Sequence, residues 1–246
     1  FIKDGNILTF MCDLFGMSCN QEDRATRSLP RFAGFASRNP HGWGVGWYEG
    51  GVARIERAPG RADYSEQFLE SIEEARSTNL IAHVRYATHG SRITCNCHPF
   101  IRQYRGRDWI FAHNGWVTGA EDHPMSEGDT DSEQIFNHIM DEIECYQSRG
   151  NIRGTIPALK HAIATVFEQY GENINLNLLI SDGSMMYAFH HYPGKPIYLI
   201  RRSKGYGGAA LVSTQELSGE DWIELEPDRL LVLDRGEVLQ YNHPLI

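Results

Sequence analysis

The feature that most restricts how this chain can fold is the shortness of the links between its apolar runs. Trp43–Tyr48, Val52–Ala58, Leu80–Tyr86, Trp109–His113, Leu176–Ile180, Met185–His190, Ile197–Arg201, Ala209–Ser213, Leu230–Asp234 and Val238–Tyr241 all have the length and composition of strands. Links such as Ser181-Asp182-Gly183-Ser184 and Arg235-Gly236-Glu237 are too short to carry a helical crossover, so neighbouring strands must pair antiparallel. Three longer segments repeat apolar residues at helical spacing instead: Tyr64, Phe68, Leu69, Ile72 and Ala75; Ile135, Phe136, Ile139, Met140 and Ile143; Leu159, Ile163, Val166, Phe167 and Tyr170. Each helix presents one stripe that needs a sheet beneath it. The economical arrangement is an α+β fold of two stacked, mainly antiparallel sheets with helices outside.

At 246 residues the chain can bury a full core, and no repeat, low-complexity tract or Pro/Gly/Ser linker divides it, so one large domain is expected. No apolar run approaches the roughly 18 residues that span a bilayer, which argues against an integral membrane protein. The formal charge of −9 disfavours a nucleic-acid partner, because phosphate binding needs clustered cations. The densest basic run, Arg201, Arg202 and Lys204, reads as a solvated loop. Five cysteines without paired spacing point to a reducing compartment, with the cytoplasm as the default. The first ten residues lack the apolar stretch of a signal peptide.

One of those cysteines, Cys12, directly follows Met11, the first methionine. A cysteine near the start of a chain is ordinarily a small buried apolar residue. If translation starts at Met11 and the methionine is trimmed, or if the first eleven residues are cut away, Cys12 instead carries a thiol and a free α-amine on one residue. An α-amine has an unperturbed pKa of about 7.7–8.0 and can take the thiol proton, so such a residue is a nucleophile with its own base.

Four islands downstream are built for a small ligand or for ordinary structure, and the residues alone leave both readings open. Asn39-Pro40-His41-Gly42-Trp43-Gly44-Val45-Gly46-Trp47-Tyr48 combines close-approach glycines with aromatic walls. In Ala82-His83-Val84-Arg85-Tyr86-Ala87-Thr88-His89-Gly90, strand alternation sets Ile81, His83 and Arg85 on one face, with Arg85 at a strand end beside a polar turn. A guanidinium there either grips a ligand carboxylate or closes an internal ion pair. Cys95, Cys97, His89 and His98 raise the question of zinc, but Cys-x-Cys is too tight for the usual ligand pair, and no metal is expected. His113-Asn114-Gly115 is a turn signal, yet an Asn amide beside an unhindered Gly N–H is also a donor pair for an oxyanion. Gly128-Asp129-Thr130-Asp131-Ser132-Glu133 contains a capping box, Thr130-x-x-Glu133, and a carboxylate at Asp131 that could meet a ligand ammonium.

Met11-Cys12, Gly42-Trp43-Gly44, His83 to Gly90, Asn96-Cys97-His98-Pro99-Phe100, His113-Asn114-Gly115 and Thr130-Asp131-Ser132-Glu133, in this order and spacing, resemble the class II glutamine amidotransferases. The glutaminase domain of that family is an N-terminal-nucleophile hydrolase. The resemblance runs from Cys12 to about Tyr241 and is nearest to the stand-alone group of short amidotransferase-like proteins. It implies a four-layer αββα sandwich over residues 12–246, with residues 1–11 as an N-terminal extension or propeptide. It implies Cys12 as nucleophile with its liberated amine as base, Asn114 and the Gly115 N–H as oxyanion hole, and Arg85 and Asp131 on the α-carboxylate and α-ammonium of glutamine. Tyr86, Thr88 and His89 would line the pocket. No cofactor is implied; the ligand is glutamine or a γ-glutamyl compound, and an ammonia-accepting protein is a candidate partner. The chain departs from the family pattern in the eleven residues before Cys12. The expected activity is hydrolysis of the glutamine side-chain amide. Two alternatives are a γ-glutamyl amide or peptide hydrolase, and a non-catalytic glutamine-binding regulatory subunit in which Cys12 is never liberated.

Overall fold

The computed structural model describes residues 11–149, 154–171, 173–202, 208–241 and 244–245. Apart from Met11, the expected N-terminal extension lies outside the described residues. Two antiparallel sheets face each other. The first runs, in spatial order, β11 (Ile223–Glu224), β9 (Tyr198–Arg202), β10 (Ala209–Ser213), β1 (Asp13–Asp23), β4 (Ser77–Arg85), β2 (Gly42–Glu49) and β3 (Val52–Ala58). The second runs β13 (Glu237–Tyr241), β12 (Leu230–Asp234), β8 (Met185–His191), β7 (Ile174–Ser181), β6 (Arg107–Val117) and β5 (Phe100–Tyr104). Helices α1 (Leu29–Ala33) and α2 (Glu66–Glu74) cover the first sheet, and α3 (Asp131–Arg149) and α4 (Thr155–Tyr170) cover the second.

Alternation along the strands sorts the core into three layers. Leu80, Ala82 and Val84 of β4 pack toward α1 and α2 with Phe15, Met17, Phe32 and Phe68, while Ile81 joins Leu14, Ala112, Leu179 and Val212 between the sheets. Ile135, Ile139, Leu159 and Ile163 meet Phe111, Leu178 and Phe189 in the third layer. Burying each such side chain stabilises the fold by roughly 1.5–3 kcal/mol. The result is the expected α+β, αββα arrangement.

Some elements depart from the sequence pattern for identifiable reasons. β1 reads as no strand because Leu14, Phe15, Gly16 and Met17 are all buried, covered on both faces, so alternation vanishes. α1, with five residues, is shorter than any periodicity. Tyr64 and Leu69 are exposed, and α2 buries Phe68, Ser71 and Ile72 instead. Asn114-Gly115 makes no turn; it continues β6 as far as Val117. The capping box is half formed: Glu133 N–H donates to Thr130 Oγ1 at 3.3 Å, but the Glu133 carboxylate accepts from Glu127 N–H at 3.0 Å and Gly128 N–H at 2.7 Å.

Candidate active site

Cys12 lies at the mouth of the sandwich, one residue before β1, where the ends of β1, β4 and β6 come together. Its register is fixed by its neighbour, since Asp13 pairs with Val84 on β4. The thiol accepts from Tyr86 N–H at 3.2 Å and faces Tyr86 O at 3.4 Å. Burial pushes the thiol up to about 11, against the opposing pull of the Tyr86 N–H and the Arg85 guanidinium. At neutral pH the group is therefore a thiol, and any nucleophilic role requires a base.

Behind Cys12, the Asn114 amide donates through Nδ2 to the Cys12 carbonyl at 2.7 Å. Gly115 has φ +151°, and a Cβ there would stand 1.8 Å from Asn175 O on β7, so only glycine permits this close approach. The two residues expected as oxyanion donors thus sit beside Cys12, Asn114 already touching its backbone.

Arg85 is 2% exposed. Its Nη1 donates to Ser91 O at 2.9 Å, and its Nη2 donates to His89 O at 2.8 Å and Gly90 O at 3.4 Å. Among the described residues no carboxylate stands within ion-pair distance of it, so the internal salt bridge weighed as its alternative role is not formed. The loop it holds is pinned from the other side by Asp129, whose carboxylate accepts from Ser91 N–H at 3.2 Å, from Ser91 Oγ at 3.1 Å and from the Asn96 amide. Those hydrogen bonds, with Asn96 first, hold the Asp129 carboxyl below its usual range. Asp131 opens α3 and accepts from Val117 N–H at 2.8 Å and its neighbour Ser132 N–H at 3.0 Å.

Cys12, Arg85, Tyr86, Thr88, His89, Gly115 and Asp131 line one narrow cleft of about 20 Å³. Thr88, His89 and Asp131 also line a larger cavity of about 470 Å³, walled by Trp116, Asp122 and Gln134. Every expected site residue except Asn114 borders the cleft, and Asn114 reaches it through Cys12.

The sequence reading missed several neighbours. His98, His113, Thr130 and Ser132 share the cleft. His113 exchanges a hydrogen bond between Nδ1 and Ser132 Oγ at 2.9 Å, and burial lowers its imidazole. His98 is buried, stacks 4.1 Å from His83, and is likewise kept neutral by its dry surroundings. Asp13 is 1% exposed and gathers four donors: Lys195 Nζ at 2.5 Å, Thr214 Oγ1 and Gln215 Nε2 at 2.9 Å, and Asn39 Nδ2 at 2.7 Å. No local signal marks this cluster, since three of its partners lie 182 to 202 residues away. Among the described residues, no His, Cys, Asp or Glu group is arranged to hold a metal ion. All five cysteines are free.

A family model described as glutamine amidotransferases class-II matches residues 11–212 of the chain. The Escherichia coli (strain K12) protein YafJ, provisionally described as a glutamine amidotransferase, is 28% identical over 92% of this chain and 99% of its own length. The γ-glutamyl-hercynylcysteine sulfoxide hydrolase of Mycobacterium tuberculosis (strain H37Rv) is 29% identical over 85% of this chain and 81% of its own. The fold is shared with the solved glutamine phosphoribosylpyrophosphate amidotransferase of B. subtilis, with a TM-score of 0.69 and 17% identity over 96% of this chain and 49% of that one.

Proposed function

Since this chain belongs to the class II glutamine amidotransferases, we propose that it cleaves the side-chain amide of glutamine with Cys12 as the nucleophile. Removal of residues 1–11 frees the Cys12 α-amine. A thiol held up at about 11 needs a base beside it, and the amine of the same residue supplies one. The thiolate attacks the amide carbon, and the tetrahedral oxyanion is met by the Gly115 N–H and the Asn114 amide. Asn114 Nδ2 carries two N–H bonds, so one holds the Cys12 carbonyl while the other is left for the oxyanion. The amine returns its proton to the leaving nitrogen, ammonia departs, and a γ-glutamyl thioester remains. Water activated by the same amine then releases glutamate. The ammonia escapes or passes to an acceptor enzyme.

The observation that carries this reading is Arg85: a guanidinium buried beside Cys12, donating to three carbonyls and, among the described residues, within ion-pair distance of no carboxylate, leaves its charge for a ligand carboxylate. Asp131 takes the α-ammonium, and Tyr86, Thr88 and His89 complete the pocket. The test is glutamate release by protein whose first residue is Cys12, compared with Cys12→Ala and Arg85→Ala in the same background. Loss of turnover in Cys12→Ala, and a raised KM in Arg85→Ala, are expected. Protein from its native host that retains its first residues and binds glutamine without turnover would instead mark a regulatory subunit. Asn114→Ala should lower kcat by two to three decades, since one oxyanion donor contributes about 2.7–4 kcal/mol to barrier lowering.

The adjoining cavity of about 470 Å³ favours a second reading. A γ-glutamyl conjugate would use the same glutamyl head and fill space that glutamine leaves open, and one relative is named for such a hydrolysis. Comparing kcat/KM for glutamine and for a γ-glutamyl dipeptide separates the two, the larger value identifying the substrate class.

A further inference from the structure

The side chain next to the nucleophile is more heavily constrained than any sheet needs. Asp13 is buried at the start of β1, and Lys195, Thr214, Gln215 and Asn39 reach its carboxylate from three separate segments. Lys195 is itself largely buried, with a side chain 12% exposed. A buried ion pair is a weak source of stability, and apolar residues of similar volume usually serve a core as well. The segment that carries Lys195 touches the other side of Cys12 too, because the Tyr192 hydroxyl meets Met11 Sδ at 2.7 Å. In the chain that still carries Met11, the connection between β8 and β9 therefore contacts the residue before the cysteine as well as the residue after it, and after trimming the contact to Asp13 remains.

We propose that Lys195, held in place by its bond to Asp13, keeps the Cys12 α-amine uncharged, so that it serves as the base. This rests on the reading of Cys12 as an amino-terminal nucleophile. A nearby cation disfavours an ammonium and a nearby anion favours it. The groups facing Cys12 are Asp13 from β1, Arg85 from the end of β4, Asp131 and Ser132 from α3, Tyr192 and Lys195 from the β8–β9 connection, and the neutral imidazoles His98 and His113. Arg85 is matched by the substrate carboxylate once glutamine binds. Lys195 then remains as the cation that opposes amine protonation, while its bond to Asp13 ties the cation to the backbone that carries the amine. Neither residue touches the substrate, so both are positioning residues.

The experiment is the pH profile of kcat, measured at saturating glutamine, for protein beginning at Cys12. In Lys195→Met the Asp13 carboxylate faces the amine alone, and the acid limb moves to higher pH. A displacement of half a unit corresponds to about a threefold loss of rate on the acid side and little loss on the alkaline side. In Asp13→Asn the lysine acts alone, and the limb moves to lower pH. Lys195→Arg keeps the charge and leaves the limb in place. Opposite displacements in the two charge-removing variants support the pair's role. Limbs that coincide with the parent's, with thermal stability alone reduced, overturn it. Should Asp13→Asn fail to fold, the contrast between Lys195→Met and Lys195→Arg decides the matter. A Cys12→Ala control keeps the two failures apart: residual turnover there removes the nucleophile reading and this inference with it, whereas an inactive control with unmoved limbs overturns the inference alone.

Discussion

Arg85 and Cys12 are each costly to bury as they stand, and each cost points to chemistry. A guanidinium solvated by three loop carbonyls is held in a fixed direction, and lysine cannot reproduce that fork. Arg85→Lys should therefore lower kcat/KM for glutamine by about 10- to 100-fold, chiefly through KM, since a charge-assisted hydrogen bond contributes roughly 1.5–3 kcal/mol. Steady-state kinetics on the trimmed protein checks this. Cys12 yields a prediction for the chain that still carries Met11. With its thiol raised to about 11, little thiolate exists at pH 7, so alkylation by iodoacetamide should be slow there and should climb with pH up to about that value. Mass spectrometry of the modified peptide follows it. Strand alternation was enough to set Arg85 on one face with Ile81 and His83 at a strand end, and the family resemblance was enough to name together the residues that line the cleft. The Asp13 cluster was illegible because its donors come from the far end of the chain and carry no motif.

Among the elements, β6 is the most sensitive to substitution, because it carries Asn114 and Gly115 where β7 presses against it. Gly115→Ala would drive a methyl group into the Asn175 carbonyl at a backbone angle that L-residues resist. A loss of more than about 3 kcal/mol is expected by urea denaturation, with Asn114 displaced as well. Thr130→Ala is milder: it removes the cap on the Glu133 N–H and should cost about 1 kcal/mol, while Glu133 keeps its own grip on the preceding loop. The three long helices were readable because each has one apolar face over a sheet. β1 was not, since a strand buried on both faces has no polar side to alternate with. Asn114-Gly115 stayed ambiguous for a related reason: the pair favours a turn locally, but the register with β7 keeps it extended.

At the scale of the molecule, the space between the sheets is apolar at one end and lined with histidine at the other. His83 is fully buried, and burial first, then the Arg85 guanidinium, lower its imidazole to about 3. An unfolded chain would protonate it near 6.5, so below that pH the unfolded state binds a proton the native state refuses. Stability is thus intact above about pH 6.5 and falls as the pH drops toward 3. Between pH 7 and 5 this group alone should remove about 2 kcal/mol, and His83→Met should flatten that part of the slope in denaturant unfolding followed across pH. The central place of β1 has a consequence of another kind. It is the first strand among the described residues, yet it pairs with β10, and two of the donors to Asp13 are Thr214 and Gln215, 201 and 202 residues later. A nascent chain therefore has no finished pocket around Cys12 until those residues have been made. The sulfur gains its surroundings only once residues 209–215 have been made, so a chain cut short before them carries an unassembled site.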